Sequence, residues 1–149
     1  MRALLDVNVL IALLDASHAH HERAHGWFGA EQALGWASCP LTENGVVRIM
    51  SHPHYSQIIR RTAIEVIADL RSAIERTDHR FWPDDLSFRD GRFFWPERIQ
   101  GPKQITDIYL LALAVKNGGR LATFDARISL DAVVGATPAH LAVIDSSRE

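Results

Sequence analysis

The chain has one cysteine, no apolar run long enough to span a bilayer, and no excess of positive charge. Cys39 alone cannot form an intrachain disulfide, whereas small secreted domains usually contain several cysteines. We predict that Cys39 is a small buried hydrophobic residue rather than a nucleophile. The N-terminal apolar run is interrupted by Asp6 and Asn8 and lacks a small-residue cleavage site, so we expect no signal peptide. These absences predict a cytoplasmic protein without a membrane span.

Net charge and chain length restrict the kind of protein and the number of domains further. Sixteen Lys and Arg residues stand against 18 Asp and Glu residues, which gives a formal charge of −2. The whole molecule is therefore not a basic nucleic-acid binder, and any phosphate backbone has to be met by local Arg and Lys side chains. The length of 149 residues, without repeats or Ser/Gly linkers, predicts one domain over 1–149.

Short apolar segments alternate with amphipathic segments along the chain. After the apolar Leu4 and Leu5, the pattern predicts strands at 34–39, 79–82, 121–124 and 140–144. It predicts helices at 17–29 with Ser17 as N-cap, from Thr42 to about 50, at 59–76, and at 105–117 with Thr106 as N-cap. Strands that alternate with helices indicate an α/β fold, with a central, mostly parallel sheet flanked by helices on both faces.

Four acidic residues lie where a predicted strand ends or a predicted helix begins: Asp6, Glu43, Asp107 and Asp125. The carboxyl ends of parallel strands and the starts of the helices that follow them share one edge of the sheet, so we expect the four side chains to converge there. Carboxylates this close raise one another's pKa unless a cation compensates them. Mg²⁺ or Mn²⁺ is the natural partner, and such a site hydrolyses phosphate esters.

A histidine motif invites a different metal assignment. The segment HERAH matches the zinc motif HExxH through His21, Glu22 and His25, but no third ligand is evident nearby. Trp27 and Phe28 indicate an amphipathic helix, so we interpret these histidines as its solvated face.

Four segments together resemble the successive motifs of a PIN-domain ribonuclease, specifically a VapC-type toxin of a bacterial toxin–antitoxin pair. They are LLDVNVLIALL, PLTENGVVRI, QITDIYLLALA and LATFD, and the resemblance covers nearly the whole chain except 77–103. It implies a PIN-like three-layer fold and a Mg²⁺- or Mn²⁺-dependent endoribonuclease. By motif, Asp6, Glu43, Asp107 and Asp125 are the catalytic acids, and Asn8 and Thr123 are supporting residues. Our hypothesis for the mechanism is that Asp6, Asp107 and Asp125 hold the metal, while Glu43 helps to hold it or orients the attacking water.

The resemblance also implies partners. It predicts a structured RNA substrate such as tRNA or rRNA, a VapB-type antitoxin that holds the enzyme inactive, and a homodimer. Five basic residues are candidate RNA contacts: Arg48, Arg60, Arg61, Lys103 and Arg127. We expect the antitoxin to bind apolar surface on the first two helices and on the helix at 59–76.

Two alternatives remain open at this point. A phosphatase of the haloacid-dehalogenase type also begins with an Asp after an apolar strand, but it needs a second Asp where this chain has Asn8. A catalytically inactive PIN-fold protein that binds a partner is the other alternative. The presence of all four acids favours an active enzyme.

Overall fold

Five short strands form one sheet in which every pair of neighbours is parallel. The computed structural model describes residues 1–145. Its strands are β1 (Ala3–Leu5), β2 (Trp36–Ser38), β3 (His79–Phe81), β4 (Arg120–Thr123) and β5 (Leu141–Val143). Their order across the sheet is β3-β2-β1-β4-β5, so β1 is central. The predicted parallel sheet is confirmed. Asp6 directly follows the central strand β1, so it lies at the middle of the carboxyl edge of the sheet.

Helices cover both faces of the sheet, as predicted. They are α1 (Val7–Leu14), α2 (His21–Glu31), α3 (Pro40–Met50), α4 (Ala63–Arg76) and α5 (Ile105–Lys116). Leu4 of β1 packs in one buried cluster with residues of α5, whereas its neighbours Ala3 and Leu5 pack in a second cluster with α1, α3 and α4. This alternation follows from the two-residue period of a strand. No helix within 1–145 is long and apolar enough to cross a membrane.

Helices α1 and α3 approach each other closely at Gly45. A Cβ atom at Gly45 would lie 2.9 Å from Cγ2 of Val7, so only glycine leaves room for the Val7 side chain there. Cys39, just before α3, is fully buried as expected, and burial raises the pKa of its thiol to about 11. The contact at Gly45 brings the start of α3, which carries Glu43, alongside the start of α1, which follows Asp6.

The predicted helix at 59–76 begins four residues later than expected. Thr62 accepts a hydrogen bond from the backbone N–H of Glu65, and the Glu65 carboxylate accepts one from the N–H of Thr62. This capping box fixes the helix start. The buried side of α4 is formed by Val66 and Leu70, whereas Ile59 lies outside the helix.

Two predicted helix caps were wrong. Helix α5 begins at Ile105, because a 3₁₀ turn over Pro102–Gln104 leads directly into it, and Gln104 rather than Thr106 occupies the cap position. Helix α2 begins at His21 instead of after Ser17, because the amide and hydroxyl of Ser17 both donate to Oδ1 of Asp15. Asp15 thereby holds the turn that follows α1.

Candidate active site

The topology brings all four predicted acids to the carboxyl edge of the sheet. Asp6 directly follows β1, and Asp125 lies two residues after β4. Glu43 lies in the first turn of α3, which follows β2, and Asp107 lies in the first turn of α5, which runs back towards the start of β4. Strands and helices that are far apart in sequence thus contribute acids to one edge.

Two hydrogen bonds fix the orientation of the Asp6 carboxylate. Its Oδ1 accepts a hydrogen bond of 2.8 Å from the backbone N–H of Val7, and its Oδ2 accepts one of 3.0 Å from the hydroxyl of Thr123. Burial raises the pKa of Asp6, and the negative charge of Asp125 adds to the rise, although the two hydrogen bonds oppose it. The carboxylate is therefore fixed in orientation but costly to ionise.

Asp107 lies within the electrostatic reach of both other aspartates. Its pKa is raised to about 6, first by burial and then by the charges of Asp6 and Asp125. Glu43 is not among the groups that raise the pKa of Asp107 or Asp6 in the part of the chain that is described. The structure thus joins three of the four predicted acids into one electrostatic cluster.

Asp125 differs from the other two aspartates because an arginine side chain, that of Arg127, is already paired with it. The Arg127 guanidinium donates to the Asp125 carboxylate at 3.1 Å, and the backbone N–H of Arg127 donates at 2.8 Å. These hydrogen bonds lower the pKa of Asp125. The N–H of Asp125 itself donates to the hydroxyl oxygen of Thr123 at 3.1 Å, so Thr123 links Asp125 to Asp6.

Glu43 belongs to a separate hydrogen-bonded chain. The hydroxyl of the fully buried Ser38 donates to Oε2 of Glu43 at 2.5 Å, and the Ser38 hydroxyl oxygen lies 2.7 Å from Nε2 of His79. Because the single hydroxyl proton of Ser38 is used on Glu43, Nε2 of His79 is the donor to Ser38. Burial lowers the pKa of His79, which favours the neutral ring. Neither Ser38 nor His79 was predicted, since an isolated Ser and His at strand ends have no distinctive spacing.

The donor set suits a hard divalent cation that keeps part of its water shell. No group of three or more His, Cys, Asp or Glu side chains among residues 1–145 is arranged tightly enough to cage a metal ion by itself. Mg²⁺ is usually bound through one or two carboxylates with waters and substrate phosphates as its remaining ligands, so a preformed cage is not required. Three neighbouring carboxylates, one of them with a pKa raised to about 6 by burial and by the charges of the other two, fit such an ion.

The other predicted residues lie in different surroundings. Asn8 is exposed in the first turn of α1, and Thr123 bridges two aspartates as described above. Arg48 and Arg60 are exposed, and Lys103 lies with Arg127 around a cavity beside Asp107. Arg61, a candidate RNA contact, has a side chain that is only 18% exposed, because it is paired with Asp15 and Asp69.

The histidines of the HERAH segment bond to the end of the preceding helix. Nδ1 of His21 lies 2.7 Å from the carbonyl oxygen of Ala12, and Nε2 of His25 lies 3.1 Å from that of Leu13. These are carbonyls of the last turn of α1, which have no partner within the helix. His21 is thus partly buried against α1, rather than on a fully solvated face as predicted.

Known proteins match both the sequence and the fold. The family model for the PIN domain matches residues 3–133. Ribonuclease VapC44 of Mycobacterium tuberculosis is 50% identical over 145 residues, which cover 97% of this chain and 100% of that protein. Ribonuclease VapC39 of the same species is 43% identical, with 91% of this chain and 96% of that protein covered. The crystal structure of Mycobacterium tuberculosis VapC20, described as a sarcin-ricin loop cleaving toxin, superposes with a TM-score of 0.61 at 16% identity, over 91% of this chain and 99% of that one.

Proposed function

The chain belongs to the PIN-domain family and is a VapC-type ribonuclease toxin, and from that premise we propose that it cleaves RNA with Mg²⁺ or Mn²⁺ held by Asp6, Asp107 and Asp125. The observation that carries this proposal is the proximity of these three aspartates at the carboxyl edge of the sheet: the Thr123 hydroxyl links Asp6 to Asp125, and Asp107 lines one cavity together with Asp125. A divalent cation held by these carboxylates would offset the repulsion between their charges. The family assignment also removes the phosphatase alternative.

We assign the remaining polar groups to holding and orienting roles. Thr123 and the N–H of Val7 fix the Asp6 carboxylate, so its orientation does not depend on a bound ion. Ser38 occupies Oε2 of Glu43, which leaves Oε1 to orient the attacking water. A divalent ion, when bound, supplies activation of that water and neutralises charge on the phosphate. Water attacks phosphorus and releases one proton to the solvent, the P–O bond to one ribose breaks, and the leaving oxygen takes up a proton in its place.

The partner and the state of assembly are also proposals. We propose that a VapB-type antitoxin inserts an amphipathic segment into a groove of about 660 Å³ between the end of α1 and α4. The groove is lined by Leu13, Leu14 and Ile59, and basic and acidic side chains surround them. As the family resemblance implies, we propose a cytoplasmic homodimer acting on structured RNA.

Incubation of the purified protein with total RNA tests the nuclease function. Discrete fragments are expected with Mg²⁺ or Mn²⁺, and intact RNA is expected with a chelator or with Asp6→Asn. RNA profiles that are identical under all of these conditions would instead support the inactive protein-binding scaffold.

A further inference from the structure

A cavity of about 240 Å³ opens directly beside the aspartate cluster. Asp107 and Asp125 form the wall that faces the proposed metal site. The remaining lining is contributed by the turn before α5 and by the segment that follows Asp125: Lys103, Gln104, Ile108, Arg127, Ile128 and Ser129. A chain of RNA whose phosphate lies at the aspartates has to place a neighbouring nucleotide close to this cavity.

The buried part of the cavity lining is apolar, and the Gln104 side chain beside it has a buried amide oxygen. Ile108 is 1% exposed and Ile128 is 9% exposed, so both are parts of the packed core that reach the cavity. The side-chain oxygen of Gln104 is buried and has no hydrogen-bond partner among the described residues. A buried amide oxygen without a donor is unfavourable, so turning the Gln104 side chain towards a ligand that supplies a donor relieves this cost.

The mouth of the cavity carries the charges that a nucleotide needs. Lys103 is exposed at the mouth, and the Arg127 side chain is 91% exposed while it remains paired with Asp125. An arginine carries five N–H donors, so Arg127 can keep its bond to Asp125 and still donate to a phosphate. Cations at the mouth and an apolar floor with one amide beside it match the phosphate and the base of a nucleotide, respectively.

We propose that this cavity is a specificity subsite, in which Ile128, backed by Ile108, contacts the face of the base next to the scissile phosphate, and the Gln104 side chain turns into the cavity to hydrogen-bond the base edge. The inference rests on the proposed ribonuclease function. A carboxamide offers one acceptor and one donor side by side, which match N6 and N7 of adenine. Lys103 and Arg127 bind the phosphate of the same nucleotide. The subsite therefore favours adenine at one position beside the cleaved bond.

Cleavage of a random-sequence RNA pool with Mg²⁺, followed by sequencing of the fragment ends, tests the subsite. The wild-type protein is expected to enrich adenine at one position beside the cut, and Gln104→Met is expected to reduce that enrichment about tenfold while cleavage continues. Gln32→Met is a matched control, because Gln32 is exposed in the turn before β2. An unchanged bias in Gln104→Met would overturn the proposal.

Methyl NMR spectra of Ile108 and Ile128 give a readout that does not depend on cleavage. Titration of the wild-type protein with a short adenine-containing RNA in chelator is expected to shift both signals, and the same titration of Gln104→Met is expected to shift them at about tenfold higher RNA concentration. Shifts elsewhere without any at these two residues would overturn the subsite.

The cleavage experiment separates the two proposals. If the wild-type protein leaves the RNA pool intact, the ribonuclease function is contradicted. If it cleaves without a bias that depends on Gln104, only the subsite is contradicted.

Discussion

The hydroxyl of Thr123 donates a 3.0 Å hydrogen bond to Oδ2 of Asp6, although the two residues are 117 positions apart in the chain. The same hydroxyl oxygen accepts from the N–H of Asp125. One fully buried side chain therefore links β1 to β4 at the point where two of the proposed metal ligands meet.

Replacement of this hydroxyl by a methyl group is expected to weaken both the fold and the site. Thr123→Val leaves the buried Asp6 carboxylate without its side-chain donor, which costs about 1–3 kcal/mol in the free energy of unfolding. The pKa of Asp6 rises further, so the acidic limb of the pH–activity profile moves to higher pH. Urea unfolding and the pH profile of RNA cleavage measure the two effects. Thr123→Ser retains the hydroxyl and is expected to keep the wild-type profile; a wild-type profile in Thr123→Val would contradict this role.

Asp107 is expected to destabilise the metal-free protein at neutral pH. The pKa of Asp107 is about 6 in the folded protein, compared with 3.8 for an unperturbed aspartate, which represents the unfolded chain. Between these two values the folded state binds more protons than the unfolded state, so the free energy of unfolding falls as the pH rises. Asp107→Asn removes the charge and is expected to raise the free energy of unfolding by about 1 kcal/mol at pH 7.5 in chelator, after allowance for solvent screening.

Near pH 4 this difference is expected to vanish, because Asp107 is then protonated in the folded wild-type protein. Asp131→Asn is the control, since Asp131 is exposed on the surface. A destabilised Asp107→Asn at pH 7.5 would show that the carboxylate makes a favourable contact in the metal-free fold. RNA cleavage by Asp107→Asn is expected to be lost in spite of the added stability.

Ser38 is expected to act on the reaction through Glu43. Ser38→Ala removes the donor to Oε2 of Glu43 and the acceptor for His79. We expect the RNA cleavage rate at saturating substrate to fall about tenfold, which corresponds to about 1.4 kcal/mol, and KM to change little. Glu43→Gln is expected to lower the rate further. Ser72→Ala in α4, measured below the unfolding temperature of both variants, serves as the control; equal rates for the two serine variants would exclude a positioning role for Ser38.

Antitoxin binding is expected to distinguish two adjacent isoleucines. Ile59 is 51% exposed and lines the groove beside α4, whereas Ile58 is 92% exposed and is not part of its lining. Ile59→Glu is expected to weaken binding of the cognate VapB-type antitoxin at least tenfold in a titration, because it introduces charge into the apolar contact. Ile58→Glu is expected to bind as the wild-type protein does. Weaker antitoxin binding by Ile58→Glu than by Ile59→Glu would contradict an interface in this groove.

The sequence alone was sufficient for the elements with a strong local pattern. Apolar strands that run into Asp6 and Asp125 predicted a parallel sheet with acids at its carboxyl edge, and the sheet was found. The start of α4 was predicted four residues too early, because Thr62 with Glu65 forms a capping box inside a segment whose isoleucine spacing predicts a longer helix.

Contacts between distant segments could not be predicted from local patterns. The link from Ser38 to His79 depends on the register of β2 and β3, in which Trp36 lies opposite His79. The pairing of Arg61 with Asp15 likewise depends on how the chain returns from 51–62 to the end of α1. Both contacts join segments that are far apart in the sequence, so the pattern of residues within either segment does not predict them.

An anomalous difference map from crystals soaked in Mn²⁺ tests the proposed metal site most directly. We predict one or more peaks within coordination distance of the carboxylates of Asp6, Asp107 and Asp125, and no such peak in crystals of Asp6→Asn. Peaks confined to the histidines of α2 or to the outer surface, with none at these three carboxylates, would contradict the metal-dependent mechanism.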